Sequence, residues 1–464
     1  LSSAQLIQIG SPTPRPALSV GGKPGLRGGE IVAVVSAALG ALVFLASFFL
    51  PGAMSGWGPL LGSTILFAGG ASSYFWFVYR DTTPGIKNHG LWASSATARG
   101  VIGWLLGAAL TAFYCLLYWF PAPLEGGIRL LDPFALFVSG AAANQWFLYG
   151  YLYTIAILVM GLRMMLRYRH NRYQLLRTGS VMFFQLGFGF LIPNVLKAMN
   201  QPEFYFTYFW PLKPEYLLPF SQGWTLNGGS LGVAMIAWGV GMTFLATPIL
   251  TYLYGKRWYC SWVCGCGGLA ETMGDPYRHL SSNSDTAWKI ERWMIHSVLV
   301  LIVAVTAVGW AHEWMGRPWW GDGGQALYYK TYGFVIGAVF SGVIGVGFYP
   351  LMGSRVWCRF GCPMAAVLGL FQRFFSRFRI TTNGGQCISC GNCSTYCEMG
   401  IDVRSYAQRG ENIVRASCVG CGVCAAVCPR GVLKLENGPV ENRFAGAGRP
   451  VLAFLESLGL RKRS

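Results

Sequence analysis

A hydrocarbon core of ~30 Å is crossed by about 20 apolar residues in helical form. Eight stretches of this chain meet or approach that length: Ile31 to Leu50, Pro59 to Tyr79, Val101 to Phe120, Trp146 to Met165, Thr178 to Leu196, Gly229 to Tyr252, Trp293 to Trp310, and Tyr332 to Leu351. Glycine and proline inside them are tolerated in lipid, and Pro193 in the fifth and Pro248 in the sixth predict kinks. From Thr381 to about Pro439 the pattern changes to a short Gly-rich and Cys-rich segment with no spanning run, which reads as a separate small soluble domain. The expected organisation is an N-terminal tail (1–29), N-terminal transmembrane helices (30–175), a second transmembrane region (176–380), the Cys-rich domain (381–440) and a C-terminal tail (441–464). The C-terminal tail reads as a short amphipathic helix ending in Arg461, Lys462 and Arg463. The first ~29 residues lack the apolar core of a secretory signal.

Composition agrees with a membrane solvent: 53% of the 464 residues are hydrophobic, 12% are charged, and 18 are Trp. The net charge of +18 then reads as basic cytoplasmic loops rather than a nucleic-acid surface. Arg167, Arg169, Arg172 and Arg177 crowd the loop after the fourth span, and Lys256, Arg257, Arg278, Lys289 and Arg292 the loop after the sixth. Arg355, Arg359, Arg373, Arg377 and Arg379 follow the eighth. The loop at Pro51 to Gly58 has no charge, and Pro121 to Gln145 has Arg129 as its sole basic residue. Eight spans with both termini cytoplasmic fit this alternation, and losing the weakest, the second, would break it. Trp314, Trp319, Trp320, Tyr328 and Tyr329 in the loop Ala311 to Thr331 read as an interfacial belt on the opposite side.

Of 14 cysteines, 13 lie between Cys260 and Cys428, and Cys115 stands apart in an apolar run. Two- and three-residue gaps suit metal or cluster ligation and a reducing compartment, not a secreted disulfide framework. The strongest signal is the pair Cys387-x2-Cys390-x2-Cys393-x3-Cys397 and Cys418-x2-Cys421-x2-Cys424-x3-Cys428-Pro429, the spacing of bacterial two-cluster ferredoxins. Three cysteines of a run wrap one cubane and the fourth reaches the other. Cluster one therefore takes Cys387, Cys390, Cys393 and Cys428, and cluster two Cys418, Cys421, Cys424 and Cys397. Zinc also uses C-x2-C pairs but needs four ligands and commonly recruits His, which this domain lacks. The fold class expected is an all-α polytopic membrane bundle of about eight transmembrane helices with a C-terminal α+β ferredoxin-like domain holding two [4Fe-4S] clusters. Glu398 stands where such ferredoxins carry Pro, and a carboxylate facing a cluster would lower its potential.

A second element is repeated. Gly255-x-Arg257-x2-Cys260-x3-Cys264 follows the sixth span, and Gly353-x-Arg355-x2-Cys358-x3-Cys362-Pro363 the eighth. Two spans separate the copies, so both face the same side. Each C-x3-C is expected to set two thiols on adjacent turns of one helical face. Together Cys260, Cys264, Cys358 and Cys362 could hold a third metal or Fe–S centre; a redox dithiol pair, a Cu(I) site and plain helix packing remain open. Cys266 either replaces Cys264 or is a bystander.

Tandem C-x3-C elements after transmembrane helices, followed by a two-cluster ferredoxin domain, resemble the NapH/NosR-type membrane polyferredoxins, which include CcoG-like proteins. The resemblance covers roughly Thr178 to Val440; the first ~170 residues carry none. It implies electron transfer at a bacterial cytoplasmic membrane, with the ferredoxin domain on the cytoplasmic side, between the quinone pool and a redox partner protein. It departs from NosR in offering no segment long enough for a flavin domain, and Gly265 follows Cys264 where the family has Pro. Gln185 and Asn194 in the fifth span are candidates to line a quinone pocket, against the alternative of helix–helix hydrogen bonding. Haem is not expected: of five His, only His296 lies inside a span, His312 ends one, and His89, His170 and His279 fall in loops. No acid–base pair or nucleotide motif stands out, so cofactors carry the chemistry; a quinol dehydrogenase subunit is the enzyme class left open. The competing readings are a CcoG-like assembly factor handling copper or thiols, and an iron–sulfur subunit of a larger respiratory complex.

Overall fold

The computed structural model describes residues 26–80, 94–217, 229–315 and 331–438. Most of the N-terminal tail, the C-terminal tail, His89 and the aromatic residues Trp319, Trp320, Tyr328 and Tyr329 lie outside them. Among the described residues, seven helices are long and apolar enough to cross a membrane: α1 Gly28–Phe49, α2 Trp57–Arg80, α3 Val101–Trp119, α4 Gln145–Arg167, α5 Arg172–Ala198, α6 Ser230–Tyr254 and α7 Asp285–Met315. The eighth expected span, Tyr332 to Leu351, is not among them: that stretch forms α8, Gly333–Ile344, an apolar π-type helix of 12 residues, shorter than a membrane crossing. Side chains such as Ile65 and Val300 are about two-thirds exposed, which water would not tolerate in such number and lipid does.

The weakest span, α2, owes its place to close packing rather than to hydropathy. It lies against α1 at two small residues: a Cβ on Gly40 would meet the Phe67 backbone nitrogen at 2.3 Å, and one on Gly70 the Ala37 nitrogen at 2.5 Å. Small residues that let backbones touch are the usual currency of helix association in lipid. The kinks expected at Pro193 and Pro248 are realised as π turns, Gln185–Leu191 and Met242–Ala246, immediately upstream of each proline. Widening the helix there relieves the clash between a proline ring and the preceding turn.

The C-terminal domain opens and closes on a two-stranded antiparallel sheet, β1 Phe378–Thr382 with β2 Leu433–Asn437, paired Phe378 to Asn437 and Thr382 to Leu433. The strands bring the ends of the domain together and enclose both cysteine runs. The domain is docked rather than hung from a linker. Tyr173 donates to the Gly420 carbonyl at 2.8 Å, Gln174 to that of Cys421 at 2.8 Å, Ser261 to that of Val419 at 2.9 Å, and Gln372 to that of Cys418 at 2.7 Å.

The two C-x3-C elements also meet. α7 starts beside them, where Arg359 pairs with Glu291 at 2.6 Å. Its 31 residues carry the chain about 46 Å away at 1.5 Å per residue, and α8 leads it back to Cys358.

Candidate iron–sulfur centres

The two ferredoxin runs are related by an offset of 31 residues that extends from the cysteines to the backbone. Helices Asn392–Thr395 and Val423–Ala426 occupy equivalent places, each entered from a left-handed glycine, Gly391 at φ +79° and Gly422 at φ +74°. Only a residue without a Cβ takes that conformation at no cost, and the turn folds the run back on itself. One cavity results with Cys387, Cys390, Cys393 and Cys428 in its wall, and a second with Cys397, Cys418, Cys421 and Cys424. The fourth cysteine of each run thus lines the cavity of the other.

The donor set of these cavities fits a cationic metal core. Burial pushes the Cys397 and Cys421 thiols up to about 12 and that of Cys393 to about 11. Four such groups become ligands only where a metal supplies the compensating positive charge. The Ile401 amide donates to Cys397 Sγ at 3.4 Å, the kind of contact that tunes a thiolate ligand.

Cys260, Cys264, Cys358 and Cys362 are brought together in the same buried core as the ferredoxin cysteines, at 4–6% exposure. The expectation that each pair shares one helical face is corrected. Cys260 ends the helix Arg257–Cys260 and Cys264 caps the next, Gly265–Thr272; Cys358 lies in Val356–Phe360 and Cys362 caps Pro363–Phe374. A helix break separates the thiols of each pair, with the same turn in both copies: Cys264 donates its amide to the Tyr259 carbonyl at 2.8 Å, Cys362 to that of Trp357 at 3.0 Å. Proline at the first helical position signals such a break. Gly265 replaces that proline in the first copy because a Cβ there would meet Gln185 Oε1 and Tyr153 Oη, each at 2.8 Å. Cys266 hydrogen-bonds Cys264, the main cause holding the Cys264 thiol below its ordinary value, while burial pushes Cys260 up to about 12 against the opposing charge of Lys256.

Between these centres lies a buried ion network. Arg167, Arg177, Arg278 and Arg355, which the sequence pattern places in basic loops, are buried, as is Arg163. Asp275 accepts from Arg163 at 2.7 Å, Arg167 at 2.6 Å and Arg278 at 2.8 Å. Glu271 pairs with Arg355 at 2.5 Å, with Arg278 at 2.9 Å and with Arg177. Glu398 pairs with Arg278 at 2.7 Å and Arg355 at 3.1 Å. Its charge is therefore met by two guanidinium groups, which offsets the lowering of potential expected from a carboxylate there. Glu271, Glu398 and Cys421 place ligand atoms within 4.8 Å of one another, but these arginines already supply the positive charge a cation would bring.

A groove of about 830 Å³ lies where the bundle meets the ferredoxin domain, lined by Tyr173, Phe184, Tyr254, Arg257, Trp262 and Gly422 among others. Gly422 is also in the wall of the second cysteine cavity. Gln185 and Asn194 are not brought together. The Gln185 amide accepts from Tyr153 at 3.1 Å and donates to the Val263 carbonyl at 2.7 Å, while Asn194 donates back to Phe190 at 2.7 Å in its own helix. His170 contacts the Ala426 carbonyl at 3.1 Å and His279 that of Thr97 at 2.6 Å, while His296 bonds to Arg292 one turn back on α7.

Comparison with known families bears directly on both cysteine systems. A 4Fe-4S dicluster domain matches residues 386–433, and a 4Fe-4S binding domain matches twice, at 237–283 and 334–381. This is an iron–sulfur membrane protein. The second pair of matches falls on the two C-x3-C copies, so both copies of the internal repeat are similar to the same 4Fe-4S binding domain. The chain is also 26% identical over 176 residues to YccM of Escherichia coli (strain K12), whose name describes a candidate electron transport protein. The match covers 36% of this chain and 48% of YccM, so the chain spans about half the length of the curated relative it matches. No solved structure matches.

Proposed function

We propose that this membrane electron-transfer protein passes electrons between the quinone pool and a redox partner protein through [4Fe-4S] clusters on the cytoplasmic side. The observation that carries the reading is that all three four-cysteine sets touch one continuous buried core joined to the spanning helices. Two cubanes would be held by the ferredoxin sets named above, and a third centre by Cys260, Cys264, Cys358 and Cys362. Such clusters exchange single electrons at potentials between about −700 and +450 mV.

The chain's own residues supply the access. The groove offers aromatic walls and the Arg257 guanidinium, stacked 4.8 Å from the Phe378 ring, at a junction lined by Phe184 of α5 and Tyr254 of α6. A quinol headgroup seated there would be separated from the Cys397, Cys418, Cys421 and Cys424 cavity by Gly422, and its oxidation would release two electrons inward and two protons to water at the groove mouth. This supports the groove over Gln185 and Asn194 as the quinone site. At the other end Cys390 and Ile388 are exposed, a surface suited to a partner protein. The burial of the C-x3-C thiols argues against thiol exchange or copper hand-over, which need an accessible sulfur.

The test is anaerobic mixing of the protein in liposomes with a short-chain quinol. Bleaching of the cluster absorbance is expected, slowed about tenfold or more in Trp262→Ala, the loss typical of one apolar contact. Wild-type protein reducible by dithionite but inert to quinols of every potential would end the quinone assignment.

A further inference from the structure

One path of charged atoms runs from the second ferredoxin cavity to the C-x3-C set. Arg278 Nη1 lies 3.9 Å from Cys421 Sγ and 2.7 Å from Glu398 Oε2. The other oxygen of Glu398 lies 3.1 Å from Arg355 Nη2, and Arg355 Nη1 donates to Cys358 Sγ at 3.5 Å. Every charged side chain on this path is at most 1% exposed. Glu398 stands at the position where the first run departs from the ferredoxin pattern, so the departure supplies the middle of the path.

We propose that Arg278, Glu398 and Arg355 form an electrostatic bridge that couples the reduction potentials of the two centres it joins. The proposal rests on iron being held at both cysteine sets, as in the function proposed above. A carboxylate between two guanidinium groups fixes where positive charge sits, one guanidinium against a sulfur of each centre. Reduction adds negative charge to a centre, and a fixed positive charge in a low-dielectric interior favours it. The bridge belongs to the larger network, in which five guanidinium groups face three carboxylates. That excess of positive charge is what centres rich in thiolate require. Lys256, 1% exposed and electrostatically close to both Cys260 and Cys418, adds to it from a second side.

The alternative is a latch that only holds the ferredoxin domain on the bundle. A latch predicts altered iron content or stability with unmoved potentials in whatever protein remains loaded. The bridge predicts potentials that follow charge. Arg278, Glu398 and Arg355 are therefore positioning residues, and the readout is potential rather than turnover.

The experiment is a potentiometric titration, followed by EPR, of the anaerobically purified full-length chain. Iron and sulfide are counted first in the wild type, so that absence of the third centre, which defeats the underlying reading, is seen before any variant is compared. Arg355→Gln is expected to disfavour reduction of the C-x3-C centre at least tenfold, about 59 mV for one electron. Arg355→Lys should stay close to wild type because the charge is kept. Glu398→Gln should shift both neighbouring centres the other way, and the double variant Arg355→Gln/Glu398→Gln should return most of the change, because the two charge changes are opposite in sign. If Arg355→Gln loses iron, the opposite-signed shift in Glu398→Gln carries the test. Fully loaded Arg355→Gln and Glu398→Gln with wild-type midpoints would overturn the bridge and leave a latch.

Discussion

Replacing Asp275 by Asn removes a carboxylate that holds the end of α4 to the turn carrying Arg278. Its Oδ2 accepts from Arg163 at 2.7 Å and Arg167 at 2.6 Å, and its Oδ1 from Arg278 at 2.8 Å, with all four side chains at most 1% exposed. The amide keeps the shape but leaves those guanidinium groups without their shared counter-charge and turns an NH2 toward one of them. Breaking a buried ion pair by removing one partner costs about 3–5 kcal/mol, because the surviving charge stays desolvated. We expect a loss in that range, measured by SDS titration of the variant and wild type in mixed micelles with cluster absorbance as the signal. Glu125→Gln, which breaks the exposed Arg129 pair, serves as the control and should change stability by less than about 1 kcal/mol. A loss below about 1 kcal/mol in Asp275→Asn would refute the claim that this buried ion network stabilises the bundle.

The same carboxylate sets an acid limit. Burial alone would push the Asp275 carboxyl up, but Arg167, Arg163 and Arg278 beside it hold it well below the usual range. Its contribution is therefore present above the ordinary Asp pKa of about 3.9 and is lost as pH falls below it; SDS midpoints should be flat from pH 7 to about 5 and drop below about 4, and a drop between 7 and 5 would point to another group. Gly391→Ala should cost about 1–2 kcal/mol, the penalty of a left-handed residue with a side chain, since the nearest atom to its new Cβ is Arg404 Nη1 at 4.0 Å. Gly422→Ala should cost more and loosen docking, seen as faster proteolysis of the ferredoxin domain, because its Cβ would meet the Tyr173 ring at 2.9 Å; equal losses in the two variants would contradict the docked arrangement.

Much of this architecture is legible in the residues. Long apolar runs announce the helices, and the x2-x2-x3 spacing of Cys387 to Cys397 and Cys418 to Cys428 announces the cavities, because it is the spacing by which bacterial two-cluster ferredoxins wrap their cubanes. The ion network is not legible in the same way. Arg167 and Arg177 flank a span, where basic residues normally sit in water, and only their distant partners show them buried. A trace of it lies in Arg163 and Arg167, one turn apart on α4, where the four-residue spacing places like charges on one face. Glu398 was visible as a departure, but its meaning depends on Arg278 and Arg355, which lie far away in sequence. The groove is assembled from segments between Asn171 and Leu435, and no local pattern encodes it. The spacing of the C-x3-C pairs suggests one helical face, but Pro363 after Cys362 marks the start of a new helix.

The most direct test of the account is iron and acid-labile sulfide per chain in anaerobically purified protein. Three four-cysteine centres predict about twelve of each, falling to about eight in the Cys260→Ser/Cys358→Ser variant. Natively folded chain with iron near zero, or filled with zinc instead, would contradict it.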